Sequence, residues 1–316
     1  MDHPPHRHVQ PQQPADDAEW AAMAAHVELE AEVLISFLTD TSSLLTDLSR
    51  QNGLDVRRVI DIGSGPGVGT AVLAEQFPSA TVVAVDGSAE MLESVARRAE
   101  ELHLSERVET RHVELPAGFE EVGTADLVWA AMVLHHVGVE AGTLRSLRSL
   151  LEPGGLLGIA EFGDRLRFLA DSADMGVGEP GLWERLDAAG MAWLESTRPG
   201  SPQTAASVDY PTTIEAAGFE LVVDQVMGMH LEPPLETRAR RVALGHLQRM
   251  RHVFDPWLEP SDRDALDVLI AEGHPLGIMQ RDDAFLHASR HLYVARAVPA
   301  KSANGPATVL GGARRG

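Results

Sequence analysis

The sequence predicts an α/β fold, a doubly wound and mostly parallel sheet, and two observations carry that prediction. Short apolar runs alternate with helical stretches from about residue 57 onward, which is the pattern of successive βαβ units. Each run is continuously apolar rather than alternating, as a strand is when helices cover both of its faces. A chain of 316 residues with 44% apolar content can bury one large core with insertions, or a core with a smaller cap.

Glu19 to Leu48 reads as helix, with Val33, Phe37, Leu44 and Leu48 at three- and four-residue steps. Asp40-Thr41-Ser42-Ser43 is expected to break it into two. Arg57 to Ile62 (RRVIDI) is the first strand, and the glycine-rich turn GSGPGVG leads into a helix from Val68 to Phe77, closed by Pro78. Thr81 to Val85 is the second strand, ending at Asp86, and Ser88 caps a helix through Leu102. Val108 to Val113 and Ala125 to Ala130 follow as strands. A helix from about Glu140 to Leu151 ends at Pro153-Gly154-Gly155, before the strand Leu156 to Phe162.

Beyond that the pattern loosens. Leu182 to Glu195 is helical, RPGSPQ breaks the chain, and Thr212 to Ala217 is a helix closed by Gly218. Phe219 to Val226 and Phe285 to Ala297 read as the last strands, with an amphipathic helical stretch over 235–272 between them. The expected organisation is a disordered tail at 1–18, a helical lid at 19–51, a ligand-binding core at 52–162, and further strands with helical cap insertions (163–205 and 235–273) at 163–298. A loose tail at 299–316 completes it.

Composition excludes several functions. A formal net charge of −21 argues against a binder of phosphate backbones, so no nucleic-acid partner is expected. The absence of cysteine removes disulfides, thiolate zinc sites and a cysteine nucleophile, and fits a cytoplasmic protein. No apolar stretch is long enough to span a bilayer, so no membrane role is expected. No metal site is read from the sequence. His3, His6 and His8 belong to a polar, proline-rich tail and are read as solvated.

The turn Asp61-Ile-Gly63-Ser64-Gly65-Pro-Gly67 carries the chemistry. Glycines between a strand and a helix accept positive φ and let backbone approach a ligand closely. A dinucleotide site wants G-x-G-x-x-G, with pyrophosphate on the helix N-terminus. Here Val68 stands where its last glycine belongs, and Asp61 would repel a pyrophosphate. A carboxylate at that place suits a cationic ligand, such as an ammonium or a sulfonium.

The stretch VIDIGSGPG, with Asp86 ending the second strand in VVAVDGS, resembles the first motifs of class I S-adenosylmethionine-dependent methyltransferases. The resemblance spans about residues 56–162, and the whole chain is similar to actinobacterial small-molecule methyltransferases. It implies a Rossmann-like, seven-stranded sheet whose last strand is antiparallel, with S-adenosylmethionine as cofactor. By that resemblance Asp61, Gly63, Ser64, Gly65 and Gly67 meet the cofactor, and Asp86 with Gly87 holds its ribose hydroxyls. Met91 packs on adenine, or is a core methionine. Glu114, where the family has Asp, or the Leu115 amide, meets the adenine amino group. Backbone near Trp129 and Ala130 meets the methionine end.

Methyl transfer asks mainly for alignment, desolvation and, for protonated acceptors, a base. His135 and His136 follow the fourth strand at the carboxyl end of the sheet, and relatives often carry a histidine there. One of them is expected to serve as base, with His136 preferred, and the other to cap the loop. Glu161 ends the fifth strand at the same rim, where it could meet a substrate, and is read first as a solvated or structural acid. The function implied by the resemblance is methylation of a small organic acceptor in secondary metabolism, with a homodimer left open. The rivals are a non-catalytic S-adenosylmethionine-binding regulator and a dinucleotide-dependent oxidoreductase. Some 55 residues separate the last two strands, where the basic fold has a short hairpin, and they are expected to cap the acceptor site.

Overall fold

The computed structural model describes residues 17–138, 141–170, 176–197 and 208–298. Both expected tails (but for residues 17–18), with His3, His6 and His8, and the RPGSPQ break lie outside the described residues. The chain opens with α1 (Asp17–Val33) and α2 (Ile35–Gln51). It continues through β1 (Arg58–Ile62), α3 (Val68–Gln76), β2 (Thr81–Asp86), α4 (Ala89–Glu101), β3 (Val108–His112) and β4 (Ala125–Ala131). Then come α5 (Leu134–Val137), α6 (Ala141–Ser149), β5 (Leu151–Phe162), α7 (Leu182–Thr197) and α8 (Tyr210–Ala216). The last elements are β6 (Phe219–Leu231), α9 (Thr237–Val253), α10 (Pro260–Ile270) and β7 (Leu286–Ala297).

The seven strands lie in the order β3-β2-β1-β4-β5-β7-β6. The pairs from β3 to β5 are parallel, and β7 runs antiparallel to both β5 and β6. Alternate residues feed two apolar layers, because strand side chains point to opposite faces. Val59, Leu127, Trp129 and Leu156 pack with α2 and α3 on one face. Ile60, Ile62, Val128, Ala130, Leu157 and Ile159 pack with Leu144 and Leu147 of α6 and Tyr210 and Ile214 of α8 on the other. Both faces are covered, which is why the strands read as continuous apolar runs.

Three local expectations need correction. The first helix pair divides at Leu34, and α2 runs unbroken through Asp40–Ser43. Thr41 and Ser42 are buried there; the hydroxyls of Thr39, Ser42 and Thr46 each bond a carbonyl three or four residues back, and the Thr41 hydroxyl donates to Met227 Sδ at 3.5 Å, so the polar groups find partners without breaking the helix. Pro153-Gly154-Gly155 lies within β5, which begins at Leu151; the ladder to β4 slips between Ala125 and Leu127, and Gly154 takes a φ of 85°. β6 extends five residues beyond its expected end, because it stays paired with β7 to Leu231.

The inserted helices pack on one another and on the first helix. Arg185 of α7 donates to both oxygens of the buried Asp262 at the start of α10, at 2.8 to 3.0 Å. Arg238 and His246 of α9 meet Glu32 and Glu30 of α1. No helix among the described residues is long and apolar enough to cross a membrane.

Trp129 depends on a glycine opposite it. Its partner across the ladder is Gly158, and a β-carbon there would fall 2.7 Å and 2.9 Å from two ring carbons. The ring is 3% exposed and cannot yield easily. Gly158→Ala is therefore expected to cost about 1–3 kcal/mol of stability by overpacking. Urea unfolding of the variant checks this, and an unchanged midpoint would show that the ring has room to move.

Candidate active site

The turn after β1 is built from three glycines in the left-handed region. Gly63, Gly65 and Gly67 have φ of 66°, 52° and 84°. A side chain is excluded by space as well as by conformation at two of them. A β-carbon on Gly63 would lie 2.4 Å from Val133 Cγ2, and one on Gly67 would lie 3.0 Å from the Val95 Cα. The turn is stitched to the end of β2. The Gly63 and Ser64 amides donate to the Val85 carbonyl at 2.8 Å and 3.1 Å, and the Gly65 amide donates to Asp86 Oδ2 at 2.9 Å. Asp86 Oδ1 accepts from the Ser88 amide at 2.9 Å, and the Ser88 hydroxyl caps α4.

Two carboxylates thus meet at the carboxyl ends of neighbouring strands. Asp61 is 3% exposed and accepts one hydrogen bond, from the Thr70 hydroxyl at 2.6 Å. Burial pushes its carboxyl up to about 7 despite Thr70, and the Asp86 charge adds to the rise. Asp86 is also raised by burial, against the pull of the amides of Ser88, Gly65 and Gly87. Beside them the Ser64 hydroxyl oxygen is buried with no hydrogen-bond partner. A cationic ligand that also brings hydroxyl groups supplies what these atoms lack, so the residues present fit an adenosyl sulfonium with an ammonium.

The other expected contacts are distributed around this turn. Gly87 follows Asp86, and the Glu114 carboxylate stands over it, 3.6 Å from where its β-carbon would be. Glu114 is exposed, and Leu115 is half-buried against the layer below. Met91 is buried in the first turn of α4, yet lies in none of the apolar clusters. Trp129 and Ala130 lie within β4, paired with Asp61 and Ile62 of β1 and with Gly158 and Ile159 of β5, so a ligand contact from their backbone would be made in addition to the sheet. The chain leaves the ladder one to two residues later, at Ala131 and Met132. Met132 adopts a φ of 56°, a strained value for a side chain of that size.

The two histidines diverge. His135 is half-buried, and its Nδ1 lies 2.9 Å from Glu161 Oε2. The other oxygen of Glu161 accepts the Leu134 amide at 2.9 Å and the His135 amide at 3.4 Å. Glu161 is fully buried and ties α5 to the end of β5, so of the two bland readings it is the structural acid and not the solvated one. His136 is exposed, with its ring 4.1 Å from that of His135. Sequence reasoning missed Arg290. It is 6% exposed, and its guanidinium sits 5.4 Å from the centre of the Phe162 ring, which in turn meets the His135 ring at a tilt of 53°, 4.8 Å between centres. Its signal was lost in a strand of mixed polarity far along the chain.

Protonation of Asp61 has a measurable consequence. An ordinary aspartate releases its proton near pH 4, whereas Asp61 holds it to about 7 in the folded chain. Stability therefore falls as pH rises from about 4 to about 7, because the unfolded chain gives up the proton first. Asp61→Asn removes this loss, so the variant's stability advantage in urea unfolding should grow with pH across that window. A constant difference would contradict a buried, uncompensated charge. Asp86→Ala should lower affinity for S-adenosylmethionine about tenfold to a hundredfold, the value of hydrogen bonds to a charged acceptor. Calorimetry giving unchanged affinity in a folded variant would remove Asp86 from the ribose.

Comparison with known proteins agrees with this site. Residues 60–157 match a family model described as a methyltransferase domain. Trans-aconitate 2-methyltransferase of Azoarcus sp. (strain BH72) is 41% identical over 105 residues, which is 33% of this chain and 39% of that protein. The counterpart from Rhodopseudomonas palustris (strain BisB18) is 34% identical over 41% of this chain and 48% of its own. The chain thus spans less than half the length of these relatives. Malonyl-[acyl-carrier protein] O-methyltransferase of Brevibacillus brevis is 27% identical over 69% of this chain and 84% of its own. Among solved structures, a geranyl diphosphate methyltransferase in complex with S-adenosylmethionine covers 92% of this chain and 95% of its own, at 15% identity and a TM-score of 0.45. The motif, its geometry and the family match coincide on β1 to β5, and over residues 60–157 the chain carries a methyltransferase domain whose glycine turn is similar to the S-adenosylmethionine-binding turn of class I enzymes.

Proposed function

We propose that the chain is an enzyme that transfers the sulfonium methyl group of S-adenosylmethionine to a small organic acceptor. The observation that carries this reading is the buried Glu161 holding His135 at the rim of the sheet, beside the cofactor turn. With Nδ1–H donated to Glu161, the basic lone pair sits on Nε2. In this reading His135, rather than His136, takes the proton of a hydroxyl or amine at Nε2 as the acceptor's electron pair forms the bond to the methyl carbon. The pair of the broken carbon–sulfur bond stays on sulfur. Glu161 keeps the ring in one tautomer and steadies the imidazolium that results.

Helices α1, α7, α9 and α10 supply the desolvation. In this reading they form a cap over the acceptor side, joined to the rim through Glu30, Arg290 and Phe162. The names of the relatives, trans-aconitate and malonyl-[acyl-carrier protein] methyltransferases, give the acceptor classes to try first, small polycarboxylic acids and their esters. Hydroxyl- and amine-bearing molecules belong in the same panel, since only these need a base.

The test is formation of S-adenosylhomocysteine from S-adenosylmethionine against that panel. Turnover with at least one acceptor is expected, and none with any would favour a regulator that only binds the cofactor. With a hydroxyl or amine acceptor, His135→Ala should lower the single-turnover rate about a hundredfold to ten-thousandfold. The deficit should shrink as pH rises and the acceptor ionises unaided. His136→Ala should stay within a few-fold of the natural chain. Near-normal transfer by His135→Ala at neutral pH would leave alignment and desolvation as the whole of catalysis.

A further inference from the structure

Away from the cofactor turn, α1 and α9 bring together two imidazoles and a carboxylate. His26 and Glu30 lie one helical turn apart on the same face of α1, and His246 comes from α9 opposite them. One donor atom from each lies within 4.8 Å of the others. His246 Nε2 is 2.8 Å from Glu30 Oε2, and the two imidazole rings meet edge to face at 4.9 Å.

Two features of this cluster have no purpose in a plain hydrogen bond between Glu30 and His246. The Nε2 of His26 is buried with no hydrogen-bond partner. An orphaned ring nitrogen in that position is a standing penalty unless something binds it. Gly245 also interrupts the middle of α9 directly against the ring. A β-carbon there would fall 2.4 Å from His26 Cε1 and 2.5 Å from its Nδ1. A glycine inside a helix weakens it, and here it makes the space that lets this imidazole approach its partners.

We propose that His26, Glu30 and His246 form a site for a divalent transition-metal ion of the zinc class. Two nitrogens and one carboxylate oxygen match the donor preference of zinc, cobalt or nickel, and are too few and too soft for magnesium or calcium. At bond lengths of about 2.1 Å, neighbouring tetrahedral ligands stand about 3.4 Å apart. The set therefore closes around an ion by side-chain rotation of about an ångström. Glu30 Oε1 lies 3.4 Å from the Arg290 guanidinium, so the carboxylate can bind the ion through Oε2 and stay oriented by Arg290. His26 is held below its ordinary range, first by burial and then by His246, which keeps the imidazole neutral as a ligand must be.

Three protein ligands leave a coordination position open. The contacts from Glu30 through Arg290 to Phe162 and His135 put the site on the acceptor side of the sheet. The open position is suited to an oxygen of the acceptor, a role that rests on the proposed methyl transfer. The ion and Arg290 together would favour an acceptor bearing a carboxylate or an enolic oxygen.

The test uses the full-length protein with His3, His6 and His8 replaced by Ala, so that the tail cannot chelate. After treatment with a chelator it is titrated with zinc by calorimetry and with cobalt by visible absorption. One equivalent should bind, and cobalt should give the intense bands of a low-coordinate site. His26→Ala and His246→Ala should each weaken binding at least a hundredfold, more than loss of an outer-sphere partner does. Gly245→Ala, which displaces the His26 ring and leaves every ligand in place, should weaken it as well. If His246→Ala fails to fold, His26→Ala and Gly245→Ala still decide the matter. No stoichiometric binding, or binding unchanged in folded His26→Ala, would overturn the proposal. Because the titration uses neither cofactor nor acceptor, a failure of methyl transfer does not affect its outcome.

Discussion

Negative charge buried at the carboxyl rim of the sheet is the constraint around which the site is arranged. Asp61, Asp86 and Glu161 end β1, β2 and β5, and each points into a place where water cannot serve it fully. Glu161 is compensated by α5, through two amides and the His135 ring. Asp86 is compensated in part, by the amides of Gly65 and Ser88. Asp61 has only the Thr70 hydroxyl, and it keeps its proton to about pH 7. An isolated buried carboxylate costs stability, and the fold keeps this one at the point where a cation would repay it.

The same logic explains why the glycine turn is so confined. With Gly63 against Val133 and Gly67 against Val95, no side chain fills the turn, and the buried Ser64 hydroxyl is left as its unpartnered polar group. The turn is held from β2 as well, since Val85 and Asp86 bind its amides. Substituting either strand end therefore disturbs the other; in the proposed transfer this would couple the adenosine half of the cofactor to placement of the sulfonium half, as catalysis by alignment requires.

The fold was legible where local pattern and tertiary burial agree. The run VIDIGSGPG, the strand ending at Asp86 and the glycine stop at Gly218 each report a neighbourhood of only a few residues. Reading failed where distant partners decide. Asp40–Ser43 has the composition of a loop, but Ser42 bonds back to the Thr39 carbonyl within α2 and Thr41 reaches Met227 of β6. Neither the burial of Glu161 nor the choice of His135 over His136 could be read from adjacent histidines, since both depend on a strand some 26 residues away. The absence of a metal site was expected because no local motif holds one. His26 and Glu30 meet His246 across 216 residues of sequence, a separation that spacing rules do not reach.

On this reading Asp61 is a buried acid that keeps its proton until a cationic cofactor arrives, and the protons released when S-adenosylmethionine binds count that step. Calorimetry at about pH 6, in two buffers of different ionisation enthalpy, gives that number. The account predicts release approaching one proton per cofactor bound, because the sulfonium and ammonium charges drive Asp61 to ionise. In Asp61→Asn the release should vanish while a weakened binding isotherm remains. Binding with no proton released by the natural chain would contradict the account, and would mean that Asp61 is either already charged or not facing the cofactor.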